Sequence, residues 1–223
     1  MARFTKEANG RAHPERIDPG EFQALLRHYP VIPAVRSMED SQAAAEAPSQ
    51  VVYLLAAGLS TLDAYLHILR ERDKEVIVNL DLFAGLSRNA EAVAYLAASG
   101  CSGIISTHTD VLNVARSHGL YAVQRTFVID SDSVASSMRS LRNFVPDALE
   151  LLPAPVAPRL LPALRENYRN VAAVGGGLIT DLHEADCLIR QGLDAVSTGN
   201  PELWSARQGR IVPAACWSDD PGR

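Results

Sequence analysis

Short runs of consecutive apolar residues alternate along this chain with stretches whose apolar positions recur every three or four residues. The first pattern belongs to strands buried on both faces, the second to helices with one face on a core. The runs predict strands at Val31–Val35, Val51–Ala57, Val76–Leu80, Gly103–Thr107, Tyr121–Phe127, Ala148–Leu152, Val171–Val174 and Ala195–Thr198. Pro33 is awkward inside the first, because proline cannot donate to a ladder. A short helix is expected ahead of the strands at Pro19–His28, with Phe22, Leu25 and Leu26 on one side. Ser37, with Asp40 three residues on, can cap the alanine-rich helix that follows the first strand. Further helices are expected at Leu59–Arg72, Ser87–Ser99, from His108 to about His118, from Asp130-Ser131-Asp132-Ser133 to about Phe144, Ala157–Tyr168 and Asp181–Gln191. Gly199-Asn200-Pro201 is expected to open one more, with proline in its first turn.

Strand starts recur every 18 to 27 residues, giving eight strand–helix units. That number and the consistent alternation predict an α/β fold, a single (β/α)8 TIM-type barrel over residues 19–207. A short flexible N-terminal arm is expected at 1–18 and an irregular C-terminal tail at 208–223. An open doubly wound sheet is the alternative, but the first strand-to-helix turn lacks its Gly-x-Gly-x-x-Gly fingerprint. With 223 residues, 47% of them hydrophobic, and a mean hydropathy of -0.01, the chain can bury a full core. No apolar run is long enough to span a bilayer and residues 1–20 are polar, so a cytoplasmic protein without membrane contact is expected. Cys101, Cys187 and Cys216 are too scattered for a metal knuckle or a disulfide framework, and are expected to be reduced. The net charge of -5 excludes a surface given over wholly to nucleic acid, but leaves room for one basic face.

In a parallel barrel, functional groups gather where strands end. Those ends bear Arg36, Asp81, Thr107, His108, Gln124, Arg125, Glu150 and Thr198. The glycines Gly175, Gly176 and Gly177 after the seventh strand, and Ser197, Thr198, Gly199 and Asn200 at the eighth, would aim backbone N–H groups at one point. There such barrels commonly hold phosphate; tight turns without a ligand are the plainer reading. Arginines and amides suit a phosphate, while Asp81 and Glu150 could accept from hydroxyls, so a small polyol phosphate fits the set. The same carboxylates could instead be answered by Arg36 and Arg125 alone. No catalytic residue, metal site or cofactor is assigned. Only Lys6 and Lys74 are lysine, and neither ends a strand, which removes the Schiff-base nucleophile of barrel aldolases. An isomerase, epimerase or aldolase-like enzyme on a small phosphorylated polyol or sugar stays open, with Asp81 or Glu150 as base and His108 as electrophile.

Several blocks in order carry a resemblance. They are Val31-Ile32-Pro33-Ala34-Val35-Arg36-Ser37, Leu80-Asp81-Leu82 with Gly85-Leu86, Gly103-Ile104-Ile105-Ser106-Thr107, and Gln124-Arg125-Thr126-Phe127 with Asp130-Ser131. Pro146-Asp147 with Glu150-Leu151-Leu152-Pro153, Gly176-Gly177-Leu178-Ile179, and Ser197-Thr198 with Asn200 and Leu203-Trp204 continue it. The chain from about Phe22 to Trp204 resembles the glycerol-3-phosphate-responsive antiterminators. The resemblance implies a barrel with glycerol 3-phosphate as effector, acting without catalysis by binding leader mRNA of glycerol-utilisation genes so that transcription passes a terminator. The family's pattern has histidine where Asn79 stands, lysine or arginine at His108, glycine at Ala154 and serine at Gly199. Asn79 can still hydrogen-bond a hydroxyl. For the RNA, the available cations are Arg139 and Arg142, then Arg159, Arg165 and Arg169, with Arg70 and Arg72 before Lys74. The plainer reading of each cluster is a solvated helix face. A homodimer would align two such faces into one track.

Overall fold

The computed structural model describes residues 19–205 and, ahead of them, the strands β1 (Phe4–Lys6) and β2 (Ala12–Pro14). These two pair antiparallel, where an arm without regular structure was expected. The expected tail at 208–223 lies outside the described residues. Eight parallel strands then close on themselves: β3 (Val31–Val35), β4 (Val51–Leu54), β5 (Glu75–Asn79), β6 (Gly103–Ser106), β7 (Tyr121–Phe127), β8 (Ala148–Leu152), β9 (Ala172–Gly176) and β10 (Ala195–Thr198). Closure is made by β10 against β3. The helices are α1 (Pro19–His28), α2 (Met38–Glu46), α3 (Leu62–Arg70), α4 (Ala90–Ser99), α5 (Thr109–Ser117), α6 (Ser131–Asn143), α7 (Leu161–Asn167) and α8 (Leu182–Arg190). This is the (β/α)8 TIM-type barrel the apolar pattern predicts.

Side chains alternate along each strand. Ile32, Ala34, Tyr53, Ile77, Ile105, Val123, Ala148 and Val174 fill the interior. Their neighbours Val35, Leu54, Val78 and Ile104 pack under one part of the helical layer, and Leu149, Leu151, Ala173 and Val196 under the rest. The amino end is plugged by α1, whose Phe22 and Leu26 join the interior cluster. Phe22 stacks on Tyr121, the first residue of β7, with ring centroids 4.2 Å apart. Three polar residues standing just ahead of strands tie the same end. Ser102 accepts from the Val76 amide at 3.1 Å, Asp147 from Ala122 at 2.8 Å and Asp194 from Ala173 at 2.7 Å. Asp194 also accepts from Gln23, Arg27 and Arg165, which joins α1 and α7 to the sheet.

The capping box at Ser37 and Asp40 forms as expected. The cost of Pro33 is visible: the β3–β4 ladder begins only at Ala34 and Val35. Other expectations are corrected. Gly175 and Gly176 do not end the seventh barrel strand but belong to it, pairing with Val196 and Ser197. Residues 154–160 form 3-10 turns before α7 rather than one helix, since Pro155 and Pro158 lack the amides that an α-helix needs. After β10 the described chain makes only a 3-10 turn, Pro201–Leu203, in place of a helix. Cys101 is free and buried, but Cys187 is disulfide-bonded, against the expectation of three reduced cysteines. No helix among the described residues is long and apolar enough to cross a membrane.

Candidate functional site

The carboxyl ends of β3, β7, β8, β9 and β10 enclose a cavity of about 340 Å³. Arg125 and Glu150 are register partners on β7 and β8, and both point inward. Arg125 Nε donates to Glu150 Oε2 at 2.7 Å, with both side chains buried. Ser197 Oγ donates to the other carboxylate oxygen at 2.8 Å. Gly176 makes room for this triad: a Cβ there would stand 2.9 Å from Ser197 Oγ and 3.1 Å from Glu150 Oε1. Burial of the carboxylate is thus compensated from both sides, with one donor on each oxygen. The two Nη groups of Arg125 donate no hydrogen bond among the described residues, so its fork is available to the cavity. Arg36, exposed at the end of β3, has no ion pair among them. Two guanidiniums against one carboxylate leave the cavity with an excess positive charge.

Gly177 and Leu178 both take left-handed backbone, with φ of 74° and 59°. For leucine that conformation costs about 1–2 kcal/mol, and the strain lies in the cavity wall. The amides of Leu178, Ile179 and Gly199 find no acceptor among the described residues. Thr198 Oγ1 already accepts from the Asn200 amide at 3.2 Å, and Asn200 Oδ1 from Glu202 at 3.1 Å. The first turn of α8 is likewise engaged, since Asp181 accepts from the Glu184 amide and Glu184 from Thr180. The free donors that line the cavity are therefore loop amides.

Of the residues singled out in the sequence, Arg36, Arg125, Glu150, Gly177, Ser197, Thr198, Gly199 and Asn200 line this one cavity. Gly176 lies in the wall behind it. Gly175 does not: its missing Cβ would be 2.8 Å from Leu193 Cδ1 and 3.1 Å from Ala154 Cβ, so it serves contact with the helical layer. Asp81 and His108 belong to a separate rim cluster, and Asn79 caps the turn beside it. Ser106 Oγ donates to Asp81 at 2.6 Å, the Thr107 amide at 2.7 Å and Thr107 Oγ1 at 2.9 Å. Burial pushes the Asp81 carboxyl up, but these donors, helped by nearby His108, outweigh it and hold the group below its usual value. Asn79 Oδ1 accepts from the Asp81 and Leu82 amides. His108 is exposed at the start of α5, its amide donating to Ser106 Oγ. Gln124 faces outward, Nε2 donating to Ser140 of α6 at 3.1 Å, because it alternates with inward Val123 and Arg125.

Arg139, Arg142, Arg159 and Arg169 are exposed. Arg165 is not available, being engaged with Asp194 and the carbonyls of Val171 and Gly192. Lys74 is buried, its ammonium held by the carbonyls of Ala47 and Ser49. Among the described residues no group of three or more His, Cys, Asp or Glu side chains could hold a metal ion. Sequence reasoning overlooked Leu178 and Ile179, which line the cavity. Nothing in an apolar residue's identity announces a free amide.

Comparison with known proteins decides the lineage. The family model for glycerol-3-phosphate responsive antiterminators matches residues 31–204. The chain belongs to that family. The Escherichia coli K12 protein YgcP, itself described as uncharacterized, is 30% identical over 182 residues, covering 81% of this chain and 94% of its own. The crystal structure of a glycerol uptake operon antiterminator regulatory protein from Listeria monocytogenes superposes with a TM-score of 0.73 at 28% identity, covering 79% of this chain and 95% of that one. A glycerol uptake operon antiterminator-related protein from Thermotoga maritima gives 0.71 and 28%, covering 79% and 98%. A 4-hydroxy-2-oxoglutarate aldolase at 21% identity and a TM-score of 0.58 shares the fold alone.

Proposed function

We propose that this antiterminator family member is a non-catalytic sensor of glycerol 3-phosphate, which binds the phosphate ester in the rim cavity and acts on leader mRNA of glycerol-utilisation genes in the cytoplasm. One observation carries the reading: the cavity combines uncompensated Arg36, the free fork of Arg125 and unpartnered loop amides, while its one carboxylate is already answered. Such a site attracts an anion. Asp81, the other candidate base, accepts three hydrogen bonds away from the cavity. Neither Lys6, in β1, nor Lys74, at the amino end of β5, ends a barrel strand, so the aldolase reading has no nucleophile there.

Thermal unfolding with glycerol 3-phosphate, glycerol, inorganic phosphate and triose phosphates tests the ligand. At a hundred times its dissociation constant the true ligand adds about 2.7 kcal/mol of stability, and glycerol 3-phosphate is expected to give the largest shift without turnover. Leader RNA binding should weaken with salt and tighten with ligand. RNA affinity indifferent to every polyol phosphate would overturn the regulatory half.

A further inference from the structure

Each barrel strand from β3 to β9 is followed by an α-helix of the outer ring, but β10 is followed among the described residues only by a 3-10 turn. The place beyond α8, where such a barrel sets its eighth outer helix, therefore has no described helix. On α8, Ala185 and Leu188 belong to a core cluster and Ile189 packs against it. Cys187 stands roughly 160° around the helix from Ala185 and Ile189, and it joins none of the three apolar clusters. It is nevertheless only 7% exposed. A side chain on the outer side of a surface helix is closed in this way by something lying over it.

Cys187 is also disulfide-bonded, whereas Cys101 is free. The chain has three cysteines, which leaves Cys216 as the partner within the chain. Cys216 comes eleven residues after Ser205, a reach of up to about 36–40 Å, and α8 is nine residues long. Ile211, Val212, Ala214, Ala215 and Trp217 around it are apolar enough to cover a helix. We propose that residues 206–223 lie over the outer side of α8, in place of an eighth helix, held by a reversible disulfide between Cys187 and Cys216. His183, one turn earlier, makes the bond labile: its Nε2 lies 3.7 Å from Cys187 Sγ. A neighbouring imidazole favours Cys187 as the leaving thiolate when a thiol attacks Cys216 Sγ. The reductant is a dithiol. Its first sulfur forms a mixed disulfide with Cys216 as the bond to Cys187 breaks. Its second sulfur then displaces Cys216, and the reductant leaves oxidised to a disulfide, having given two electrons and two protons. This latch does not depend on what the rim cavity binds.

Peptide mapping of the oxidised full chain without reductant should find the α8 peptide joined to the one containing Cys216. Trypsin cuts after Arg207 and Arg210, both between Ser205 and Cys216. Reduction with dithiothreitol should speed those cuts about tenfold, and Cys216→Ser should be cut at the fast rate without reductant. His183→Ala should leave cutting of the oxidised protein unchanged and slow its reduction about threefold. Cys187 joined to a second chain, or one cutting rate in both redox states, would overturn the covering segment. A bond that dithiothreitol does not reduce in the folded protein, or one reduced as fast in His183→Ala, would overturn the redox latch.

Discussion

At the scale of single residues, the two arginines of the cavity have different jobs although the sequence presents them alike. Arg125 is structural first, because Glu150 beside it is buried. Arg125→Ala would leave that carboxylate without its cation, and such losses cost about 3–5 kcal/mol. The free protein should therefore unfold markedly earlier in urea. Arg36 is exposed and has no ion pair among the described residues. Its removal should change stability by less than about 0.5 kcal/mol, yet weaken a phosphate ester about 10- to 150-fold, the range for one charge-assisted hydrogen bond. Urea denaturation and calorimetry on both variants separate the two roles, and equal behaviour would sink the distinction. That Arg125 and Glu150 meet was legible in the sequence, since an isolated charge within Ala148–Leu152 demands a partner. That Ser197 holds the second oxygen was not, because it depends on β8 and β10 converging across Gly176.

At the scale of elements, eight buried runs with glycine and polar punctuation were enough to read the barrel, and most strand limits fell within a residue or two. The misreadings share a cause. Gly175 and Gly176 look like a turn because glycine is permissive, but here the absent side chains permit close packing on opposite faces of β9. Gln124 looked like a site residue because its neighbour is one, yet strand alternation turns it to α6. Asp81 was read as facing a ligand, but it clamps the turn after β5 to the end of β6. That clamp has a pH signature. Its folded value lies below the unfolded one, near 3.9, so its stabilisation is complete above the unfolded value. It is lost as pH falls through the folded one. Asp81→Asn should cost about 1–3 kcal/mol at neutral pH, from hydrogen bonds to a charged acceptor. The gap should close in acid, and unfolding curves from pH 7 to pH 2 measure it. A constant gap over that range would mean that the carboxylate's charge contributes nothing.

At the scale of the whole molecule, the two ends of the barrel divide the work. The carboxyl end has unpartnered amides, a left-handed leucine and one arginine, Arg36, without an ion pair among the described residues, whereas at the amino end Asp147 and Asp194 are closed in by donors and α1 fills the opening. Asp194 has the largest share in that closure. It is 2% exposed and accepts from Gln23 and Arg27 of α1, Arg165 of α7 and the Ala173 amide of β9. Asp194→Ala would take the shared carboxylate from Arg27 and Arg165, leave the buried Ala173 amide without that acceptor and loosen the plug carrying Phe22, so a loss of about 1–3 kcal/mol is expected. Because this cluster sits at the end opposite the cavity, the dissociation constant for glycerol 3-phosphate should not change at temperatures where the variant is still folded. Stability and affinity measured on one preparation test the division directly: a folded Asp194→Ala protein with weakened ligand binding would show that the amino end reaches the rim. The same division explains why an arginine read from sequence as an RNA contact, Arg165, belongs to the latch, while Arg139 and Arg142 on α6 stay exposed.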